Sequence, residues 1–340
     1  MRILWRLAKC ARIYAAAAGW AVVFLAAGPG ARSQGLENAR IPKTAEVNFG
    51  PALAQQRIAK PFVTGIRAAA GDVFLLVQSG FTEPSEMRLI RASMAGAVVY
   101  GVRLGVVVVR DWYVNTGGGA TVNLESADGN EVEIVSYDAE GRRLGRVSSL
   151  RQEYFPTLSE AAPFRLLSSG DIVPRDGATG RAPLAHVRLP ESGGPRVVLG
   201  EKLPDNRIAV VDGIGAEVTI VDLNTGSHEA RELRAPEIDA ARRYYQRYPP
   251  QVRGSVVAAS ASDEVGNIYC LVTAYRPAEG APVLMLGRKG NERVVLRCPI
   301  GRRDGGVLVT TSLAASGNEL YLADRAGLVM VYKIPEIFRN

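Results

Sequence analysis

The sequence predicts an all-β fold: a six-bladed β-propeller closed by an N-terminal strand, with seven blades as the alternative. Three observations predict it. Residues 205–222 recur near the end as 317–332. In each copy an Asn (Asn206, Asn318) precedes a short apolar run. An Asp follows six residues after that Asn (Asp212, Asp324), and a Gly three residues later still (Gly215, Gly327). Such self-similarity marks a repeat architecture. Second, from Phe62 onward runs of Val, Ile, Leu and Tyr alternate with clusters of Gly, Asp, Asn and Ser, the pattern of strands and turns. Third, residues 137–141 match 221–226 as strand, tight turn with a Gly for positive φ, and return strand. Asp138 and Asp222 lie 84 residues apart, two units of about 42, the size of a four-stranded blade.

The N-terminus is a separate element. Arg2, Arg6, Lys9 and Arg12 form a positive leader, residues 13–28 are apolar and uncharged, and Pro29-Gly30 ends any helix. Ala31-Arg32-Ser33 then offers small residues at both positions a signal peptidase reads. Residues 1–33 therefore read as a signal peptide cleaved after Ser33. An uncleaved membrane anchor is the alternative, since the uncharged stretch 13–31 is about long enough to span. Either way residues 34–340 are expected outside the cytoplasm, as one propeller domain. The formal net charge of +7 belongs mostly to the leader. Without its five basic residues, 36 basic face 34 acidic ones, a net of +2. That balance gives no basis for nucleic-acid binding, which needs a concentrated basic surface.

Residues 34–60 are polar and Pro/Gly-punctuated, with one extended candidate at 45–49. Beyond them, a small residue with Gly or Asp and then Asp or Asn repeatedly introduces an apolar run. Gly71, Gly119, Gly170, Asp205, Gly266 and Gly317 mark six such units, with spacings of 48, 51, 35, 61 and 51. The third unit, about 164–199, is the weakest, because Pro174 interrupts its strand. The last unit has strands at 306–312, 320–324 and 328–334 but lacks a fourth. A ring cannot leave that edge open, so a segment within 41–49 is expected to supply the outer strand. Cys270 and Cys298 fall on the second and fourth strands of one sheet. Strands two places apart are roughly 10 Å from each other, beyond disulfide reach, so both read as buried thiols.

The phrases Asp263-Glu264-Val265-Gly266-Asn267-Ile268-Tyr269 and Gly317-Asn318-Glu319-Leu320-Tyr321-Leu322-Ala323-Asp324 resemble those of NHL-type six-bladed β-propellers. The resemblance covers the C-terminal half. It implies blade geometry and is nearly silent on activity, because the family includes interaction scaffolds, lactonases, lyases and periplasmic accessory proteins.

Catalytic motifs are absent: no G-x-S-x-G, H-E-x-x-H, P-loop or C-x-x-C occurs. The two histidines, His186 and His228, fall in strand-like segments without a nucleophile to serve. Propeller lactonases hold a cation through Glu, Asn and Asp from different blades. Asn206, Asn267, Asn318, Asp72 and Asp171 recur at equivalent places, yet the same recurrence suits turn residues entering a second strand. Glu125, Asp128, Asn130 and Glu131 form an acidic loop without the calcium-loop pattern. Trp112, the only Trp after the leader, reads as core. No cofactor is named by the sequence, and a metal site stays open.

The most distinctive interruption is 236–251. Pro236 suits a first helical turn, with Glu237 and Asp239 near its positive end and Pro249-Pro250 as the stop. Ile238, Ala241, Tyr245 and Tyr248 fall on one face; Arg243 and Arg247 fall together elsewhere. Arg and Tyr dominate binding hot spots, so Arg243, Tyr244, Tyr245, Arg247 and Tyr248 form the candidate partner or ligand surface. The competing account is a helix that lids one end of the ring. The function expected is a non-enzymatic binding or protein-interaction module of the cell envelope, engaging a protein or small ligand at one face and touching membrane only through an uncleaved leader. A metal-dependent lactonase-like hydrolase is the alternative.

Overall fold

The computed structural model describes residues 37–58, 60–80, 85–115, 117–126, 131–150, 164–166, 170–174, 183, 185–186, 198–248, 254–273, 280–288, 293–298, 302–303, 306–307 and 310–336. The leader lies outside them. No described helix is long and apolar enough to cross a membrane.

The described chain begins with β1 (Glu37–Arg40), β2 (Lys43–Asn48) and the short helix α1 (Gly50–Gln55). A sheet follows from β3 (Pro61–Ala69), β4 (Asp72–Ser79), β5 (Ser85–Ser93) and the long β6 (Val98–Val114). The next strands are β7 (Ala120–Glu125), β8 (Glu131–Tyr137) and β9 (Arg143–Leu150). β6 pairs with β5 as far as Val107 and with β7 from Val108 onward. These seven strands are thus two four-stranded blades sharing one strand, outermost in the first and innermost in the second. The third unit is three short strands, β10 (Phe164–Leu166), β11 (Asp171–Pro174) and β12 (Ala185–His186). Pro174 ends β11, where a missing N–H is tolerated.

The fourth sheet is β13 (Val198–Leu203), β14 (Arg207–Asp212), β15 (Glu217–Asp222) and β16 (His228–Glu232). Helix α2 (Pro236–Tyr245) leads from β16 into β17 (Val257–Ser262), β18 (Ile268–Val272), β19 (Ala281–Leu286) and β20 (Arg293–Cys298). A two-stranded ribbon, β21 (Arg302–Arg303) with β22 (Gly306–Val307), precedes β23 (Thr310–Ser316), β24 (Glu319–Asp324) and β25 (Leu328–Lys333). The first strand of the last sheet therefore begins at Thr310 rather than Gly306, because Gly306 pairs back onto Arg303.

This strand order is that of a β-propeller, and all six sequence markers introduce a second strand: β4, β7, β11, β14, β18 and β24. The physical reason is the turn before it. Ala70 and Gly71 both have positive φ (54° and 80°), as do Asp205 and Asn206 (62° and 55°). A tight hairpin with the strands' own twist needs left-handed residues there, which favours Gly, Asn and Asp. Asp138 and Asp222 occupy the same place, the turn from third to fourth strand, in blades two apart. Each carboxylate accepts the N–H two residues on, from Glu140 (3.0 Å) and Asn224 (2.8 Å).

The innermost strands face one another. β23 lies between β3 and β17, and β17 lies beside β13. The first sheet therefore adjoins the last: Val63 N–H donates to Arg325 O at 2.9 Å, and Ser312 Oγ donates to Thr64 O at 3.2 Å. As expected, β2 pairs antiparallel with β25 and supplies the fourth strand of the last sheet. It spans Lys43–Asn48, while Phe49 turns into the core. β1, which no pattern in the sequence announced, adds a parallel fifth strand to β20.

Among the described residues, apolar side chains fill the layers between the first and second blades, the fourth and fifth sheets, the fifth and last, and the last and first. Trp112 sits in the layer between the first two blades, as expected of core. Cys270 faces the layer shared with the fourth sheet, and Cys298 the layer shared with the last. They are free, fully buried and on opposite sides of one sheet, a stronger obstacle to a bond than strand spacing. Burial disfavours the thiolate and pushes Cys270 from 9.0 up to about 12; it pushes Cys298 up as well. In the protein lacking its leader, a thiol reagent is expected to leave both unmodified at mildly alkaline pH until denaturant is added. Prompt labelling of the folded protein would contradict this packing. Because the folded pKa is raised, the contribution to stability is full below about 9 and is lost as pH climbs toward about 12.

Candidate functional site

Two of the connections from an outermost to the next innermost strand carry helices: α1 between β2 and β3, and α2 between β16 and β17. Alternating strand direction puts such connections at the same end of the ring as the second-to-third turns. Hydrogen bonds bear this out: Phe49 N–H donates to Gly327 O at 2.8 Å, and Arg242 Nη2 donates to Gly215 O at 2.6 Å.

Helix α2 forms where the sequence placed it and for the stated reasons. Ala235 at the N-cap is extended and offers no side-chain cap. Pro236 opens the first turn, Glu237 and Asp239 meet the positive end, and Arg242 and Arg243 meet the negative end. It stops at Tyr245, before the stop expected at Pro249-Pro250, and a tighter turn follows in which Tyr248 N–H donates to Tyr245 O at 3.0 Å. Residues 249–253 lie outside the described ones.

One face is core. Ile238, Ala241 and Tyr245 are buried with Leu233, Ala235 and Val256 between the fourth and fifth sheets. Burying an Ile-sized side chain is worth about 1.5–3 kcal/mol, so this face alone holds the helix down. Ion pairs fix its orientation. Arg242 Nη1 donates to Glu232 Oε1 at 2.7 Å, and Arg234 Nε donates to Glu232 Oε2 at 2.9 Å. Those bonds, Arg234 first, hold the Glu232 carboxyl below its usual range. At the other end Glu237, largely buried, pairs with Arg297 of β20.

The other face is presented outward. Arg243 and Arg247 are exposed; Tyr244 and Tyr248 are half-buried. The Tyr244 ring meets Tyr245 edge-on at 5.3 Å and tilts against Tyr248 at 5.7 Å, with the two hydroxyls 3.3 Å apart. The bond to Tyr248, then burial, pushes the Tyr244 hydroxyl up to about 12. It therefore stays a neutral donor through the physiological range. Of the five predicted surface residues, Tyr245 belongs to the core, 7% exposed, and burial raises its hydroxyl pKa. The remaining four stand together. Tyr248, read in the sequence both on the face of Ile238 and in the partner surface, lies three residues past the helix end, half-buried beside Tyr244.

The recurring polar residues are occupied as turn and pairing groups. Asn267 donates through Nδ2 to Asp263 at 2.8 Å and accepts from Arg288 N–H at 3.1 Å. Asn206 donates to Asn224 at 2.8 Å. Asp72 pairs with Arg91 at 2.7 Å, and Asp171 with His186 Nδ1 at 2.8 Å. Asp212 and Asp324 each accept from the N–H two residues on, at 2.9 Å. Asn318 lends its backbone carbonyl to Ile334 N–H at 2.8 Å. His228 is exposed at the start of β16. Glu125 is buried at the end of β7, and Asp128 and Asn130 lie outside the described residues. Among the described residues no three His, Cys, Asp or Glu side chains gather as a metal site.

A second polar group went unread in the sequence. Arg67 of β3, Glu201 of β13 and Ser260 of β17 converge from three innermost strands. Ser260 Oγ donates to Glu201 Oε1 at 3.0 Å, and Arg67 Nη1 lies 3.6 Å from the same oxygen. The Arg67 guanidinium also stacks 5.7 Å above the Trp112 ring. Glu201 is the one carboxylate of this group and is buried. Its charge is answered by Arg67, so the group ties opposing strands across the ring. Nothing local in the sequence signals it, because its members come from separate sheets.

No family model matches the chain, and no curated protein matches it. Similar solved structures include the β-propeller domain of Cps50 (Swd1) from Myceliophteria thermophila, with TM-score 0.49, 7% identity, and 81% of this chain covered against 98% of that one. The WD40 repeats of RRP9 give TM-score 0.47 and 11% identity, over 88% and 83% of the two chains. BamB from Moraxella catarrhalis gives 0.42 and 14%, over 86% and 100%. The propeller fold of this chain rests on its own strand order.

Proposed function

We propose that this chain is an exported, six-bladed propeller of the NHL-like kind, a single domain over 34–340, acting as a non-enzymatic binding module of the cell envelope. Its partner engages the helix-bearing face. The observation that carries this reading is the mounting of α2. A buried apolar face and ion pairs to two sheets immobilise the helix, while Arg243, Tyr244, Arg247 and Tyr248 remain accessible. Loops and insertions fixed on a rigid scaffold are where recognition concentrates, and a fixed patch loses little entropy on binding. The leader pattern of residues 1–33 supports export, with cleavage after Ser33.

The test is recovery of a partner from the envelope fraction on the exported form. Tyr244→Ala combined with Arg247→Ala should lower recovery about tenfold, the effect of losing a hot-spot pair. The variant should stay folded with a somewhat lower melt, since Tyr244 packs against the core while Tyr245 and the buried face are retained. Undiminished recovery by a folded double variant would remove this face from consideration.

A further inference from the structure

We infer that the patch formed by Arg243, Tyr244, Arg247 and Tyr248 grips an acidic peptide segment of a partner protein, whose carboxylates meet the two arginines. The inference rests on the reading of this face as the binding surface and adds the chemistry of what it binds.

Charge is the first argument. The other arginines around the helix are answered locally: Arg231 by Glu229 at 2.6 Å, Arg234 and Arg242 by Glu232, and Arg297 by Glu237. Arg243 and Arg247 are exposed and form no ion pair among the described residues. Arg243 lies in the last turn of α2 and Arg247 in the tighter turn that follows, so two unanswered cations stand four residues apart in sequence at the outward end of the helix. A guanidinium presents a planar fork of donors that matches a carboxylate.

Spacing and neighbours narrow the class. Carboxylates two residues apart on an extended peptide stand on one side, about 6.6 Å from each other, so a single acidic segment can offer one to each arginine. The paired Tyr244 and Tyr248 rings lie beside the cations as flat, partly apolar ground. Their hydroxyls, neutral through the physiological range at Tyr244, can donate to a peptide carbonyl. A membrane surface fits less well, because polybasic lipid recognition uses about four to eight basic residues, and the apolar face of this helix is buried in the core. Nucleic acid fits less well still, since the two cations would release few counterions.

The experiment is fluorescence anisotropy of a labelled ten-residue poly-glutamate peptide on the full chain without its leader, with a poly-glutamine peptide as control. Binding of the acidic peptide alone is expected. The double variant R243E/R247E should weaken it about tenfold or more, because like charges then face each other. High salt should remove it, since attraction between exposed charges is screened as the Debye length falls to about 3 Å near 1 M. Both residues are exposed, so the variant should stay folded, with a slightly lower melt because Arg243 no longer meets the negative end of α2. Equal binding by the variant, or no binding by the wild type, would overturn the inference. So would tighter binding to phosphatidylglycerol vesicles lost in the same variant, which would reassign the patch to membrane. If Tyr244→Ala with Arg247→Ala abolishes envelope recovery while R243E/R247E preserves it, the surface stands and the acidic partner falls.

Discussion

A chain lacking residues 37–49 will not be recovered as a stable monomer. Removing this segment strips β2 from β25 and β1 from β20, and so uncovers the outer strands of two adjacent blades. β25 is buried from Leu328 to Tyr332 in the intact protein, and its bare edge becomes a template for another chain. Two core anchors go with it. Ile41 and Phe49 are fully buried, in the layers on either side of the last sheet. Truncating an Ile or Phe to Ala costs about 2–5 kcal/mol each, against a total stability of about 5–15 kcal/mol for a typical domain. Size-exclusion chromatography should show aggregate for the deletion. Ile41→Ala alone should remain folded and monomeric with a lower urea midpoint. A deletion variant that elutes as a monomer with an unchanged melt would show that the ring does not depend on this closure.

How much of this was legible follows from what each element asks of its residues. Turn chemistry is local. A left-handed position favours Gly, Asn or Asp, so the entry to four of the second strands could be read from Gly71, Asn206, Gly266 and Gly317. Helix α2 was legible for the same reason, through Pro236, its acidic first turn and the spacing of Ile238, Ala241 and Tyr245. Pairing between distant strands leaves no such mark. β1 is the polar stretch Glu37–Arg40, lacks an alternating pattern, and is held by backbone pairing to an edge 257 residues on, Glu37 opposite Val294. β6 crosses from one blade to the next without a turn, so no Gly or Asn cluster flags its change of partner near Val107. Arg67, Glu201 and Ser260 meet only because the ring closes. At α2 the periodicity held for Ile238, Ala241 and Tyr245 and failed at Tyr248, three residues past the end of the helix.

Asp263→Ala should be the most damaging single substitution in the fifth sheet, lowering stability by about 3 kcal/mol or more. The Asp263 carboxylate is 3% exposed and accepts five hydrogen bonds. Oδ1 takes the N–H groups of Val265, Gly266 and Asn267 at 3.1, 2.9 and 2.8 Å. Oδ2 takes Asn267 Nδ2 and Tyr269 OH, both at 2.8 Å. Alanine leaves these donors behind, most of them buried, and each buried donor without an acceptor costs about 1–3 kcal/mol. The damage spreads, because this turn is where neighbouring blades meet. Asn267 Oδ1 accepts from Arg288, which pairs with Asp205 of the fourth sheet, and Glu264 accepts Gly317 N–H of the last sheet at 2.9 Å. Asp263→Asn should also destabilise, because its amide would set donors against Asn267 Nδ2 or Tyr269 OH. Glu264→Gln, on the exposed side of the same turn, should shift stability by less than about 1 kcal/mol, since the amide oxygen can still accept and exposed charge contributes little. Urea unfolding separates these outcomes: the midpoint should fall steeply for both Asp263 variants with the slope unchanged. A midpoint for Asp263→Ala within error of Glu264→Gln would show that the latch is dispensable and that blade contacts hold this turn without it.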